Sequence, residues 1–241
     1  VKKILFFNSL ILFAFLNLVE KGVSDEWTVI LFHFEEEEGK IVRDSSANKF
    51  KGEVTGGKWV EGKKGKALEW SEENGNIRVK DFGDSPLDIT DEITLEAWIY
   101  LKSYPTGEKP FSIANVITKV DSYFISISKK KVIYAGVKLL GSERPMWWVI
   151  EGNRTVPLNQ WTHIAFTYDS KSREGKVYIN GELDKEVTLK GYKDYKIQTN
   201  DNHLTIRSYS GADEKFIGII DEVRISNIAR REFLLINNSE K

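Results

Sequence analysis

Trp161-Thr-His-Ile-Ala-Phe-Thr-Tyr-Asp169, Lys176-Val-Tyr-Ile-Asn-Gly181 and Gly218-Ile-Ile-Asp-Glu-Val-Arg-Ile-Ser226 decide the fold of this chain. In the first stretch Ile164, Phe166 and Tyr168 fall on one side of an alternating strand, and in the second Val177 and Ile179 do the same. Asp169 to Gly175 supplies the turn between them. Asn180-Gly181 supplies the next, because Asn and Gly tolerate the positive φ values of a tight hairpin. The three stretches therefore describe an antiparallel meander.

Outward from this centre the same grammar continues. Thr28 to Phe34 reads as a first strand covered on both sides, because both of its faces are fairly apolar. Gly52 to Gly65 reads as short strands and turns, and Ala67–Trp70 with Asn76–Val79 as a hairpin. In Ile93 to Tyr100, Leu95, Ala97 and Ile99 share one face and Glu96, Trp98 and Tyr100 the other. Residues 115–119, 123–128, 132–138 and 146–150 fit four more strands. The tail 227–236 has helical spacing at Ile228, Phe233 and Ile236, which predicts one short C-terminal helix. No internal repeat or long linker interrupts this series. The expected architecture is all-β: a two-sheet antiparallel β-sandwich of the jelly-roll type over residues 25–241, with that short helix.

The chain has 241 residues, 41% of them hydrophobic and 12% aromatic, which suffices for one substantial core. A formal net charge of −1 provides no basic field for nucleic acid. The absence of cysteine excludes a disulfide framework, a thiolate metal site and a cysteine nucleophile. Lys2-Lys3 followed by the apolar run Ile4 to Val19 predicts a secretory signal over residues 1–24, with maturation near Asp25. An uncleaved anchor is the alternative, because the cleavage site is weakly marked. Either way the domain is expected outside the cytoplasm, whether secreted, periplasmic or on the cell surface.

Six pieces of the chain, in order, resemble the laminin-G-like jelly-roll domain, a relative of pentraxins and of the concanavalin A-like lectins and glucanases. They are Leu31-Phe-His-Phe-Glu with Asp44-Ser-Ser-Ala-Asn48, Gly62-Lys-Lys-Gly-Lys-Ala-Leu-Glu-Trp70, Ile93 to Tyr100, Trp161-Thr-His-Ile-Ala-Phe-Thr-Tyr-Asp with Val-Tyr-Ile-Asn-Gly-Glu-Leu, Asn200 to Ile206, and Ile220-Asp-Glu-Val-Arg-Ile225. The chain departs from the family at Ala47, where glycine is common, and in its richer Met146-Trp147-Trp148 region. The resemblance implies the sandwich fold, a binding role and, in many relatives, calcium.

Three constellations could carry chemistry. The glucanase branch needs two carboxylates on one strand face, about 5 Å apart in retaining enzymes. Glu182-Leu-Asp-Lys-Glu186 alternates suitably, but it follows the Asn-Gly turn and reads as the solvent face of an exposed strand. Lys185 also stands where those enzymes keep an apolar residue, so no catalytic residue is assigned and the chain is read as non-enzymatic. His33, His163 and His203 lack a spacing that gathers a metal or a triad, and are read as structural. For one structural calcium ion, Asp44 and Asn48 offer oxygens from a single loop, and Asp221 adds one if the first and last strands pair. Asp44 would serve equally in an Asx turn.

The ligand-binding candidates are aromatic. Trp and Tyr rings stack on sugar faces and anchor protein interfaces. Trp147 and Trp148 are neighbours on a strand, so one points inward and the other outward. Tyr134 is the third candidate, and Tyr104, Tyr192, Tyr195 and Tyr209 lie in or near loops. Trp98 and Trp161 are assigned to packing. The expected role is a secreted recognition module, carbohydrate-binding in the first instance. The alternative is an adhesion domain for an extracellular protein; nucleic acid is not an expected partner, nor is a membrane beyond the signal segment.

Overall fold

A computed structural model describes residues 24–71, 74–107, 112–141, 146–191, 194–207 and 215–236. The expected signal over 1–24, apart from Ser24, and the loop residues Tyr192 and Tyr209 lie outside them. The described residues contain strands and no helix.

In chain order the strands are β1 (Thr28–Phe32), β2 (Ile41–Arg43), β3 (Lys51–Thr55), β4 (Lys58–Glu61), β5 (Lys66–Trp70) and β6 (Asn76–Val79). Next come β7 (Glu92–Leu101), β8 (Ile113–Lys119), β9 (Tyr123–Ser128), β10 (Ile133–Gly141), β11 (Met146–Glu151) and β12 (Trp161–Asp169). The last are β13 (Glu174–Ile179), β14 (Glu182–Thr188), β15 (Asp194–Ile197), β16 (Leu204–Ile206) and β17 (Gly218–Ser226). They form two sheets. The first runs β14-β13-β12-β7-β17-β5-β4, with β1 also on β17. The second runs β11-β10-β9-β8-β16-β6-β3-β2, with β15 also on β10. Every pairing is antiparallel.

Period-2 alternation assigns the faces. Leu95, Ala97 and Ile99 of β7 and Ile164, Phe166 and Tyr168 of β12 point inward, opposite Ile125 and Ile127 of β9 and Val137 of β10, in one continuous core. Burying each large aliphatic or aromatic side chain contributes about 1.5–3 kcal/mol. The Asn180-Gly181 turn has φ of 52° and 78°, the two positive values that a two-residue hairpin with the native twist demands.

The tail differs from expectation. Residues 227–236 run as bends across the outer face of the first sheet rather than as a helix. Side chains of β7 take up its peptide groups. Glu92 accepts from the Ala229 amide (3.0 Å), Thr94 from Arg230 (2.9 Å) and Glu96 from Leu234 (3.0 Å), while Trp98 Nε1 donates to the Leu234 carbonyl (2.8 Å). A ten-residue helix is marginal by itself, so these bonds decide the conformation. The apolar spacing serves docking instead: the Phe233 ring packs on Tyr178 (4.7 Å between centroids) and His163 (5.7 Å).

Candidate functional site

The tail covers the outer face of the first sheet, which directs attention to the outer face of the second. There β9, β10 and β11 lie side by side. Phe124 is opposite Gly136, Tyr134 is opposite Ser126 and Glu151, and Trp147 is opposite Lys138. All of these belong to one face, because directly opposed residues share a side. Phe124 stands between the other two aromatics, 5.5 Å from Tyr134 and 5.2 Å from Trp147 by ring centroids. The result is an aromatic row. Trp147 remains 39% exposed, and Met146 and Val149 of the same strand are exposed as well.

Beside the row is a polar floor. The Asn115 side-chain oxygen accepts from Ser126 Oγ (2.9 Å) and Thr118 Oγ1 (3.1 Å), and Thr205 Oγ1 donates to the Thr118 carbonyl (3.2 Å). At the Tyr134 end lies a cavity of about 70 Å³, lined by Ser112, Ile113, Ser128, Lys129, Lys130, Tyr134 and Glu151. Lys130 and Glu151 pair across it at 2.6 Å. Ser112 and Ser128 are buried, and neither Oγ has a hydrogen-bond partner in the protein. Burial, with the Glu151 charge second, raises the Tyr134 phenol above its ordinary pKa, so it stays neutral and able to donate.

Trp148 goes the other way. It is opposite Val137, points inward, and packs on Tyr168 at 5.6 Å between ring centroids. Gly175 lies directly beneath its ring, where a Cβ would collide with it. Among the expected aromatics, the structure therefore places Trp147 and Tyr134 together and Trp148 apart. Tyr104 donates to the Val156 carbonyl at 2.8 Å under the Lys131 ammonium, and Tyr195 lies beneath the Arg173 guanidinium, so both are in packing positions away from the row. Trp98 is buried and Trp161 packs edge-on against Tyr100. Sequence reasoning missed Phe124, Ser112 and Ser128. The signal for two of them was present, since Phe124, Ser126 and Ser128 form the second face of a strand whose first face is Tyr123, Ile125 and Ile127.

The candidate cation ligands do not converge. Asp44 is buried in its loop. Its Oδ1 accepts from the Leu31 amide (2.8 Å) and the Ser46 amide (2.7 Å), and its Oδ2 from Ser46 Oγ (2.6 Å) and the Phe50 amide (3.1 Å). Four donors fill the roughly four acceptor positions of a carboxylate, so Asp44 fits an Asx-type clasp and not a cation. Asn48 turns its amide nitrogen to the Val29 carbonyl (2.9 Å). The first and last strands do pair, with Phe32 opposite Val223. Asp221, however, faces the 62–64 loop, taking the Lys63 and Lys64 amides at 2.8 and 3.1 Å. Burial and the neighbouring Glu222 carboxylate push Asp221 up to about 8, against the pull of these amides and that of Glu222. Glu222 stands at φ 47° in the β17 bulge. One of its oxygens meets His33 Nδ1 at 2.8 Å, and the other is buried without a partner. Among the described residues no group of three or more Asp, Glu or His side chains gathers to hold a metal ion.

The acidic strand is tied down. Arg154 bonds Glu182 (2.9 Å) and Asp184 (3.2 Å), and Lys176 lies 3.5 Å from Glu186. A bulge opposite Val177 and Tyr178 inserts Asp184 and breaks the period-2 alternation of the three acids. His163 and His203 also bond within the fold, the first to Glu96 at 2.9 Å and the second accepting from the Asp81 amide at 3.1 Å.

A sandwich of two antiparallel sheets around one core defines the class: a jelly-roll domain of the lectin-like type. The chain belongs to the Concanavalin A-like lectin/glucanases superfamily, whose profile matches residues 71–232. No curated protein matches its sequence. Among solved structures it is similar to domain 4 of AbnA, a GH43 extracellular arabinanase from Geobacillus stearothermophilus, in complex with arabinotriose. That similarity has 22% identity and a TM-score of 0.59, covering 84% of this chain and 93% of that one. It is also similar to the receptor-binding domain of botulinum neurotoxin mosaic serotype C/D, at 13% identity and a TM-score of 0.63 over 85% of this chain and 48% of that one. A third similarity is to the binding domain of botulinum neurotoxin DC in complex with rat synaptotagmin II, at 12% identity and a TM-score of 0.59, over 85% and 49%. The chain thus spans about half the length of the toxin domains. At these identities the likeness concerns the fold.

Proposed function

We propose that this chain is a non-enzymatic glycan-recognition module exported from the cytoplasm, and that saccharide binds on the outer face of the second sheet. The observation that carries this reading is the exposed Trp147 and half-buried Tyr134, held on the one face by the buried Phe124 between them and bordered by a polar cavity. Exposed ring surface beside the Lys130–Glu151 donor and acceptor matches the two-sided chemistry of a sugar, and a pocket with a few convergent polar groups is the usual form of a ligand site. The arabinotriose complex of the similar arabinanase domain supports the ligand class. The synaptotagmin complex of a similar toxin domain keeps a protein partner as the second reading, for which exposed Trp147 and Val149, on one face of β11, would serve. A glycan array probed with wild type and with Trp147→Ala separates the two. Glycan binding that falls at least tenfold in the variant, about 1.4 kcal/mol or more, is expected. Saccharide binding indifferent to Trp147, or none at all, would refute it.

A further inference from the structure

Beside the tail, the outer face of the first sheet keeps a cavity of about 190 Å³. Cross-strand register builds its floor. Glu92, Asp169 and Glu174 stand in one row across β7, β12 and β13, and Thr94, Thr167 and Lys176 in the next. Opposed residues share a side, and Phe166 and Tyr168 take the core side, so both rows face outward. The tail forms the wall. Thr94 Oγ1 donates to the Ile228 carbonyl at 2.6 Å and Glu92 Oε2 accepts from the Ala229 amide at 3.0 Å, which sets Arg231 at the rim. Ser172 and Tyr178 also line the cavity.

Several of these polar groups have no partner among the described residues. Thr167 is 3% exposed and lines the cavity; its hydroxyl bonds nothing in the protein and is not sealed, so it opens on the cavity. The Ser172 and Tyr178 hydroxyls and the Arg231 guanidinium likewise make no hydrogen bond within the protein. Asp169 accepts from the Lys171 and Ser172 amides (2.7 and 3.3 Å) through Oδ1 alone, which leaves Oδ2 free, and Glu92 keeps Oε1 free in the same way. The other charges of the lining are matched: Lys176 pairs with Glu174 at 3.0 Å, and Arg230 with Asp25 at 2.8 Å.

Size and polarity define the ligand. On the measure by which one water needs about 10–15 Å³, a cavity of about 190 Å³ takes on the order of a dozen non-hydrogen atoms, the size of one sugar ring with its hydroxyls. Free acceptors on Glu92 and Asp169 stand beside free donors on Arg231 and Thr167. A hydroxyl both donates and accepts, so a neutral polyol meets both sets. An anion would face the acid row, and a lone cation would face Arg231.

We propose that this cavity is a second saccharide site, for one neutral sugar unit, on the sheet opposite Trp147. Neighbouring ring hydroxyls donate to Glu92 and Asp169 and accept from Arg231, and Thr167 meets a further hydroxyl at the floor. A ligand of this size binds at about millimolar Kd, so the site is measured by titration in solution and not on an array. It uses no residue of the second sheet and stands whether or not Trp147 binds glycan.

Amide-resolved NMR titration of the protein tests this with D-glucose, D-galactose, D-mannose and D-arabinose, and with D-glucuronate and D-glucosamine as charged counterparts. At least one neutral sugar should shift the Thr167, Ser172 and Tyr178 amides saturably, in wild type and in Trp147→Ala alike. Thr167→Val and Arg231→Ala should each weaken that binding about tenfold. Their melting temperatures should hold, since neither group bonds the protein and valine suits a strand. No saturable shift at these amides with any neutral sugar, tighter binding of glucuronate or glucosamine, loss of the effect in Trp147→Ala, or unchanged affinity in both site variants would each overturn the proposal.

Discussion

Replacing Glu96 with alanine should lower the stability of the domain by about 3–5 kcal/mol, the usual result of breaking a buried ion pair by removing one partner. Glu96 is buried on the outer face of the first sheet, under the tail. One oxygen accepts from Arg224 Nε at 2.6 Å, and the other from His163 Nε2 at 2.9 Å and the Leu234 amide at 3.0 Å. An ionised carboxylate only accepts, so the His163 proton sits on Nε2. Burial alone would raise the pKa of Glu96. The His163 bond and the Arg224 charge outweigh it and hold the group at about 2, below the ordinary 4.5. A depressed carboxylate stabilises the fold above its unfolded pKa, and that contribution is lost as pH falls. The window is therefore about pH 4.5 down to about 2, and the shift corresponds to about 3 kcal/mol. Urea melts across this range should show wild type losing stability towards the acid side while Glu96→Ala changes less. The variant should also expose the tail, because Leu234 loses its acceptor, and limited proteolysis within 227–236 would detect it. A cost below about 1 kcal/mol at neutral pH would show that Glu96 is not the keystone of this face.

Trp148→Ala is expected to cost about 2–3 kcal/mol, below the range for a fully buried aromatic because the ring is half-buried and packs against the core from its edge. Its ring bridges the sheets, against Tyr168 on one side and the bare backbone of Gly175 on the other. Gly175→Ala should be destabilising for the complementary reason, since its Cβ would enter the Trp148 ring. Trp147→Ala, one residue away, should change stability by about 1 kcal/mol or less, because that ring lies on the outer face and is partly exposed. Denaturant midpoints of the two alanine variants check the contrast. Equal losses would mean that the aromatic row is packing and not a binding surface.

The strands were legible wherever one face is apolar and the turn chemistry is explicit. β9, β12 and β17 fall where alternation places them, and Asn180-Gly181 makes the tight turn that its residues specify. Short β2 and β15 were not legible, because three or four residues give alternation too little length and their pairing depends on distant neighbours. The tail misled for a physical reason. Ile228, Phe233 and Ile236 have helical spacing, but Glu92, Thr94, Glu96 and Trp98 supply hydrogen-bond partners that an isolated helix would have to find internally. The candidate site was legible in part. Alternation alone tells that Trp147 and Trp148 diverge. Which one faces the core follows only from cross-strand register, which opposes Trp148 to Val137. Ser112 was not legible, because it precedes β8 and joins the cavity lining only through the β8–β9 pairing.

Oxidation footprinting of tryptophan locates the bound saccharide on the protein surface. N-bromosuccinimide modifies exposed tryptophan, and mass spectrometry assigns the modified residue. Trp147, 39% exposed on the proposed glycan face, and Trp27, 45% exposed outside that face, are an internal pair. With a saccharide that scores on the array, Trp147 should be protected in proportion to occupancy while Trp27 reacts as before. Protection of Trp27 instead, or unchanged reactivity of both at saturating saccharide, would contradict the placement of the glycan on the outer face of the second sheet.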